Sequence, residues 1–221
     1  MDGHGQFERM KPPTSVAALM KFGRTRLSKS FFMRDFLFSE IAAIHGLPNI
    51  PDDPDPDPDL AIAAGTRLCE ELLEPLQDAF GRIAVRGSYR SSEVNALGNR
   101  LMRDGKPAYN CSINESSWAG HIWDRLDNRG LMGATACVTV PGFIDRYPHT
   151  GAWTKLAWWI HDHLPYSSLC FFPVNFAFNI RWREVPERRI DSFVAPRGYL
   201  TKPGMANHEG SHEAEWRGIT R

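Results

Sequence analysis

The segment "NHEGSHEAEW", residues 207–216, carries His208, Glu209 and His212 in the order His-Glu-x-x-His. On a helix this spacing sets two imidazoles on one face as zinc ligands, with the glutamate beside them as general base. Such a site also needs a stable helix, a third ligand downstream and an apolar stripe to dock it. Gly210 and Ser211 weaken a helix, and only nine residues follow His212. The pair is expected to collect stray metal at most. His161 and His163 stand two apart, do not share a helix face, and read as ordinary end-of-helix residues.

A second set of donors lies upstream. "SSWAGHIWDRLDNRG", residues 116–130, contains His121 and Asp124, and Cys137 follows in "LMGATACVTV". Imidazole, carboxylate and thiolate are all acceptable zinc ligands. Catalysis would need an open coordination position and a base, for which Asp124 and Asp127 compete. The plain alternative is a rigid loop in which His121 and Asp124 make hydrogen bonds and Trp118 and Trp123 pack. Arg90, in "GSYRSS", offers a planar fork suited to a carboxylate, with Ser88 and Tyr89 as a polar wall.

The elements that must position these groups follow from pattern. "FLFSEIAAIH", residues 36–45, predicts a short helix. Leu68, Leu72, Leu76 and Phe80 recur at four-residue spacing, which predicts a helix over 60–80 with a kink or break at Pro75 and a stop at Gly81. "RIAVRG" predicts a strand, and Ser91 or Ser92 caps a helix over "SSEVNALGNRLM". "ATACVTV", "SLCFFP" and "FAFNIRW" read as strands and "AWTKLAWWIHDHL" as a helix. In the last strand Phe176, Phe178, Ile180 and Trp182 share one face, so Asn179 and Arg181 point to the other. Ala136, Val138 and Val140 likewise oppose Cys137, which puts Cys137 and Asn179 on one face. The sum is an α+β domain: a small antiparallel sheet with helices packed on one face.

Residues 36–182 resemble the zinc D-Ala-D-Ala carboxypeptidase superfamily, which shares its fold with the Hedgehog signalling domain. "FLFSEIAA" is similar to that family's Phe-x-x-Ser-Glu-hydrophobic opening. Glu74-Pro75-Leu76-Gln77, then Gly87-Ser88-Tyr89-Arg90-Ser91 and Asn95, stand where the family has Leu-x-Pro-hydrophobic-Arg, Ser-Gly-Tyr-Arg-Ser and an Asn. The resemblance implies that Arg90 helps hold the end of a peptide. The family's zinc is held by His, Asp and His, and a Glu activates the water. Setting Gly133 on the family's Gly-x-Ala-x-Asp strand puts Cys137 at the Asp and Gly130 at the first His, and Asn179 falls at the last His. No Glu occurs between Glu115 and Glu184. An inserted loop would make His121 the displaced first histidine. The expectation is a carboxypeptidase-like domain without the usual zinc chemistry, binding a cell-wall-type peptide or a protein partner through Arg90, Ser88, Tyr89, Asn179 and Arg181. One alternative is an active metal-dependent peptidase or amidase rebuilt on His121, Asp124 and Cys137, so the cofactor is zinc or none. A further one is a structural component of a phage or phage-like particle.

Bulk properties frame these readings. The 221 residues are 42% hydrophobic, with 13 Phe and 7 Trp, enough for one core. Lys and Arg number 26 against 26 Asp and Glu, which argues against a dedicated nucleic-acid binder. The expected organisation is a basic flexible arm over 1–30, one domain over 31–203, and a frayed polar tail over 204–221. "PNIPDDPDPDPD" predicts an extended, solvated acidic loop rather than a calcium site. No stretch approaches a membrane span and no signal peptide is read, so a cytoplasmic protein with reduced thiols, phage-associated or not, is expected.

Overall fold

The computed structural model describes residues 10–52 and 56–220 of the chain. It is an α+β fold built on a six-stranded mixed sheet of order β1-β2-β4-β3-β5-β6. The strands are β1 (Ala84–Gly87), β2 (Gly133–Thr139), β3 (Ser168–Phe171), β4 (Phe178–Arg183), β5 (Arg189–Ser192) and β6 (Gly198–Thr201). The expected purely antiparallel sheet is corrected at one ladder: β3 and β5 run parallel. The reason is geometric. β4 runs antiparallel to β3, the short connection 184–188 reverses the chain again, and β5 lands on the far side of β3 rather than beside β4.

Alternation along the strands sorts side chains as their pattern dictates. Ala134, Ala136 and Val138 of β2, Phe178, Ile180 and Trp182 of β4, and Leu169 and Phe171 of β3 are buried on one face. Against that face pack α3 (Pro58–Leu68), α4 (Glu74–Phe80) and α8 (Trp153–His163). Leu68, Leu72, Leu76 and Phe80 form the expected stripe, all at most 3% exposed. Pro75 does not break the run. A π turn over Cys69–Leu73 widens the helix first, and the Glu74 amide reaches back five residues to the Cys69 carbonyl. Pro75, lacking an N–H, then stands in the first turn of α4, where none is needed.

The opposite face carries α2 (Glu40–His45), whose Glu40 and Ile41 line a cavity with Cys137 and Asn179, so helices lie on both faces rather than the expected one; α5 (Ser92–Arg103) packs beside α2, and α6 (Asn114–Ser117) beside α5. Ser91 caps α5 as expected, its hydroxyl accepting from the Val94 amide. Asp52, from the Pro/Asp segment, adds a second cap by accepting from the Ser92 and Glu93 amides. Residues 53–55 of that loop lie outside the described residues.

Both expected appendages are corrected where they are described. Residues 1–9 of the arm lie outside the described residues. The remainder contains α1 (Val16–Gly23) and is docked: Phe22 and Leu27 are buried, and the buried Glu74 carboxylate accepts from Ser28 Oγ, Ser30 N and Ser30 Oγ. At the other end, α7 (Pro141–Arg146), α8 and the C-terminal segment close together. The tail holds α9 (Glu213–Trp216) and folds onto α8 through Asp162, which accepts from His212 N and Trp216 Nε1, both at 2.7 Å. Polar sequence did not prevent docking, because one buried-side carboxylate gathers the tail's donors. No helix among the described residues is long and apolar enough to cross a membrane.

Candidate ligand pocket

The polar face of the sheet supplies the floor of a pocket. Cys137 on β2, Asn179 on β4 and Cys170 on β3 are consecutive cross-strand partners, so they form one row on that face. The row beside it is Thr135, Arg181 and Ser168. Cys170 faces Asp191 across the β3–β5 ladder, and its thiol is pushed up, chiefly by burial and then by that carboxylate. Burial also pushes the Cys137 thiol up to about 11, against the pull of Arg86. Both are therefore neutral thiols at physiological pH.

A tight loop lays His121 over this floor. Gly120 N and Ile122 N both donate to Ser117 O, Ala119 N donates to Arg125 O, and the Arg90 amide donates to His121 O. Two glycines allow the close approach. A side chain on Gly133 would meet the Ala119 carbonyl at 2.5 Å, and one on Gly120 would meet Arg181 Nη2 at 2.8 Å. Loop and sheet then orient the imidazole. Its Nδ1 lies 2.7 Å from the Ser88 carbonyl, which only an N–H can satisfy. Nε2, left as the acceptor, lies 3.4 Å from Asn179 Nδ2. Burial, and then the Arg90 charge, hold this imidazole well below the usual range, so it is neutral.

Arg90 is the fixed charge of the site. Its Nη1 contacts Cys111 Sγ, its buried Nε has no partner, and it forms no ion pair among the described residues. Cys111 itself is set by α5, where Asn99 Nδ2 donates to its carbonyl and Asn95 Nδ2 to that of Ser112. Around these groups is a cavity of about 430 Å³, lined also by Phe38, Glu40, Arg86, Tyr109 and Phe172.

The expected site residues divide cleanly. His121, Cys137, Asn179, Arg90 and Ser88 line the cavity together. Ser88 acts through its backbone, since its hydroxyl is turned to the Thr135 carbonyl. Tyr89 borders the cavity too, but its ring is in the core against Trp123 and its hydroxyl donates to Asp124. Arg181 is on the correct face but lies under the loop, donating to Thr135 Oγ1. Burial lowers its pKa to about 10.

Asp124 and Asp127, expected as base or ligand, do not line this cavity. Asp124 is buried with Tyr89 and Arg125, and burial pushes its carboxyl up to about 6. Asp127 closes its own turn by accepting from Arg129 N and Leu131 N, and faces Arg183. The proposed trio of His121, Asp124 and Cys137 is thus not assembled. Among the described residues no three His, Cys, Asp or Glu side chains are grouped to hold a metal ion.

His208 and His212 do not share a helix. Gly210 has φ +93°, the segment between them is irregular, and His212 pairs with Asp162 while His208 Nδ1 meets Thr201 Oγ1. His161 is not an ordinary helix end. It is buried, with Nε2 at the His208 carbonyl and Nδ1 at the Tyr166 hydroxyl.

Glu40, Arg86, Tyr109 and Phe172 were not singled out as site residues. Glu40 belongs to the "FLFSEIAA" stretch, so a signal was present there. Tyr109 ends a single 3-10 turn, Pro107–Tyr109, and Phe172 directly follows β3, so neither carries a signature of a site. No family model, curated protein or solved structure matches this chain.

Proposed function

We propose that this chain is a D-Ala-D-Ala carboxypeptidase-like binding domain that holds the carboxylate end of a cell-wall-type peptide without zinc hydrolysis. The observation that carries the reading is Arg90: a guanidinium in a pocket, with an unpartnered Nε and no carboxylate of its own. A fixed cation without a counter-ion is unfavourable until an anion arrives, and a guanidinium prefers a planar, two-oxygen one. Neutral His121 Nε2 and the Asn179 amide can hydrogen-bond the adjoining peptide group, and Phe38 and Phe172 offer apolar walls.

The donor set fits a peptidase zinc poorly. His121 presents Nε2 as an acceptor, met only at 3.4 Å by Asn179 Nδ2, with Nδ1 tied to a carbonyl as metal-bound imidazoles are. Its neighbours on the floor are a neutral thiol and an amide, in place of a carboxylate and a second imidazole. Arg90 and Arg181 both act on His121 against positive charge, and a divalent cation would meet the same field. Among the described residues Glu40 is the one carboxylate lining the cavity, exposed on the first turn of α2.

The test is calorimetric titration of the full chain with a synthetic stem peptide ending in D-Ala-D-Ala, as free acid and as C-terminal amide. The acid should bind at least tenfold tighter, and Arg90→Gln should erase the difference. Equal binding of the two forms, or zinc-dependent release of D-Ala, would overturn the proposal.

A further inference from the structure

A second surface lies away from this pocket, on α1. Val16, Leu19, Met20 and Gly23 recur at i, i+3, i+4 and i+7, the spacing of one helical face. That face is turned outward. Val16 is 77% exposed, Leu19 41% and Met20 48%, while Phe22 on the other side anchors the helix in the core. With Leu37, Pro48 and Ile50 these residues line a groove of about 460 Å³. Arg24 and Arg34 stand on its rim, both exposed and neither in an ion pair among the described residues. The adjacent acid, Asp35, is turned away and accepts from the Phe32 amide.

An amphipathic stripe normally faces the protein's own core, so a stripe facing out calls for an external partner. The charge of the rim selects the kind. A second copy docking α1 against α1 would bring Arg24 and Arg34 against their own like, which is repulsive. An acidic helix would be attracted. We propose that this groove takes an amphipathic helix of a partner protein, its apolar residues on Val16, Leu19 and Met20 and its acidic residues on Arg24 and Arg34.

The experiment uses the full chain and two labelled synthetic helical peptides sharing one pattern of leucines at i, i+3, i+4 and i+7. One peptide carries glutamates on its flanks and the other lysines, and binding is read by fluorescence anisotropy. The glutamate peptide should bind saturably and the lysine peptide at least tenfold more weakly. Arg24→Glu with Arg34→Glu should invert that order, and Leu19→Ser with Met20→Ser should weaken both peptides at least tenfold. These side chains are exposed, and circular dichroism verifies that each variant is folded. Absence of saturable binding by the glutamate peptide, or binding indifferent to charge, overturns the proposal. Sedimentation equilibrium supplies the remaining outcome: a dimer lost in Leu19→Ser would make a second copy the occupant and overturn it too.

Discussion

His121 Nε2 and Asn179 Nδ2 lie 3.4 Å apart, the one carried by an irregular loop and the other by the start of β4. Cys137 faces Asn179 across the ladder. An imidazole, a thiol and an amide, carried by a loop, β2 and β4, therefore line one cavity.

That convergence is open to re-engineering. Cys137→Asp with Asn179→His would supply the missing carboxylate and imidazole. The double variant should gain about one zinc per chain by elemental analysis, and the natural chain should hold far less. Stoichiometric zinc in the natural chain, lost on His121→Ala, would contradict the zinc-free reading.

Asp124 gives a pH signature. Its folded pKa is raised from the ordinary aspartate range to about 6, chiefly by burial. A raised pKa means the folded state favours the protonated form. That contribution to stability is complete below the unfolded pKa and lost as pH rises through about 6. Asp124→Asn, which stays neutral, should match the natural chain near pH 4 and exceed it near pH 8 by about 1–3 kcal/mol in urea unfolding. An equal gain at both pH values would remove burial of the charge as the cause.

His121 works in the opposite sense. Its folded pKa is depressed by burial, so the folded state resists protonation. Stability should fall as pH drops below the unfolded imidazole value, about 6.5. His121→Gln, compared with the natural chain between pH 7 and pH 5, should flatten that fall.

Asp162 holds the C-terminal segment by accepting from His212 N, His212 Nδ1 and Trp216 Nε1. Its pKa is lowered by the Trp216 and His212 bonds, which outweigh desolvation. The clamp should persist as pH falls to the ordinary aspartate range and fail only below it. Asp162→Ala should expose residues 205–220 to limited proteolysis at neutral pH while the rest of the domain stays resistant. An unchanged cleavage pattern would show that Trp158 stacking on His212 suffices without the carboxylate.

Glu74 performs the same task for the N-terminal segment. Glu74→Ala leaves the Ser28 hydroxyl and the Ser30 amide without their acceptor. The expected cost is about 2–4 kcal/mol in denaturant unfolding, from donors left unsatisfied near the core. A loss below about 0.5 kcal/mol would mean that water replaces the carboxylate.

What the sequence determined by itself was local and periodic. Alternation over residues 134–140 and 178–182 assigned Cys137 and Asn179 to one face, and four-residue spacing marked Leu68 to Phe80 as core. Both are properties of the chain's own geometry, so neighbours in sequence suffice to read them. Only tertiary structure decided between His121 and Asp124. They stand three apart in irregular chain, and the loop's path is set by backbone bonds to Ser117 and Arg125 and by its close approach to Gly133. The docking of both ends was equally non-local. It rests on Glu74 and Asp162, two carboxylates 44 and 50 residues from the donors Ser30 and His212 that they collect. Composition records such donors as polar and solvated, and folding alone brings them to an acceptor.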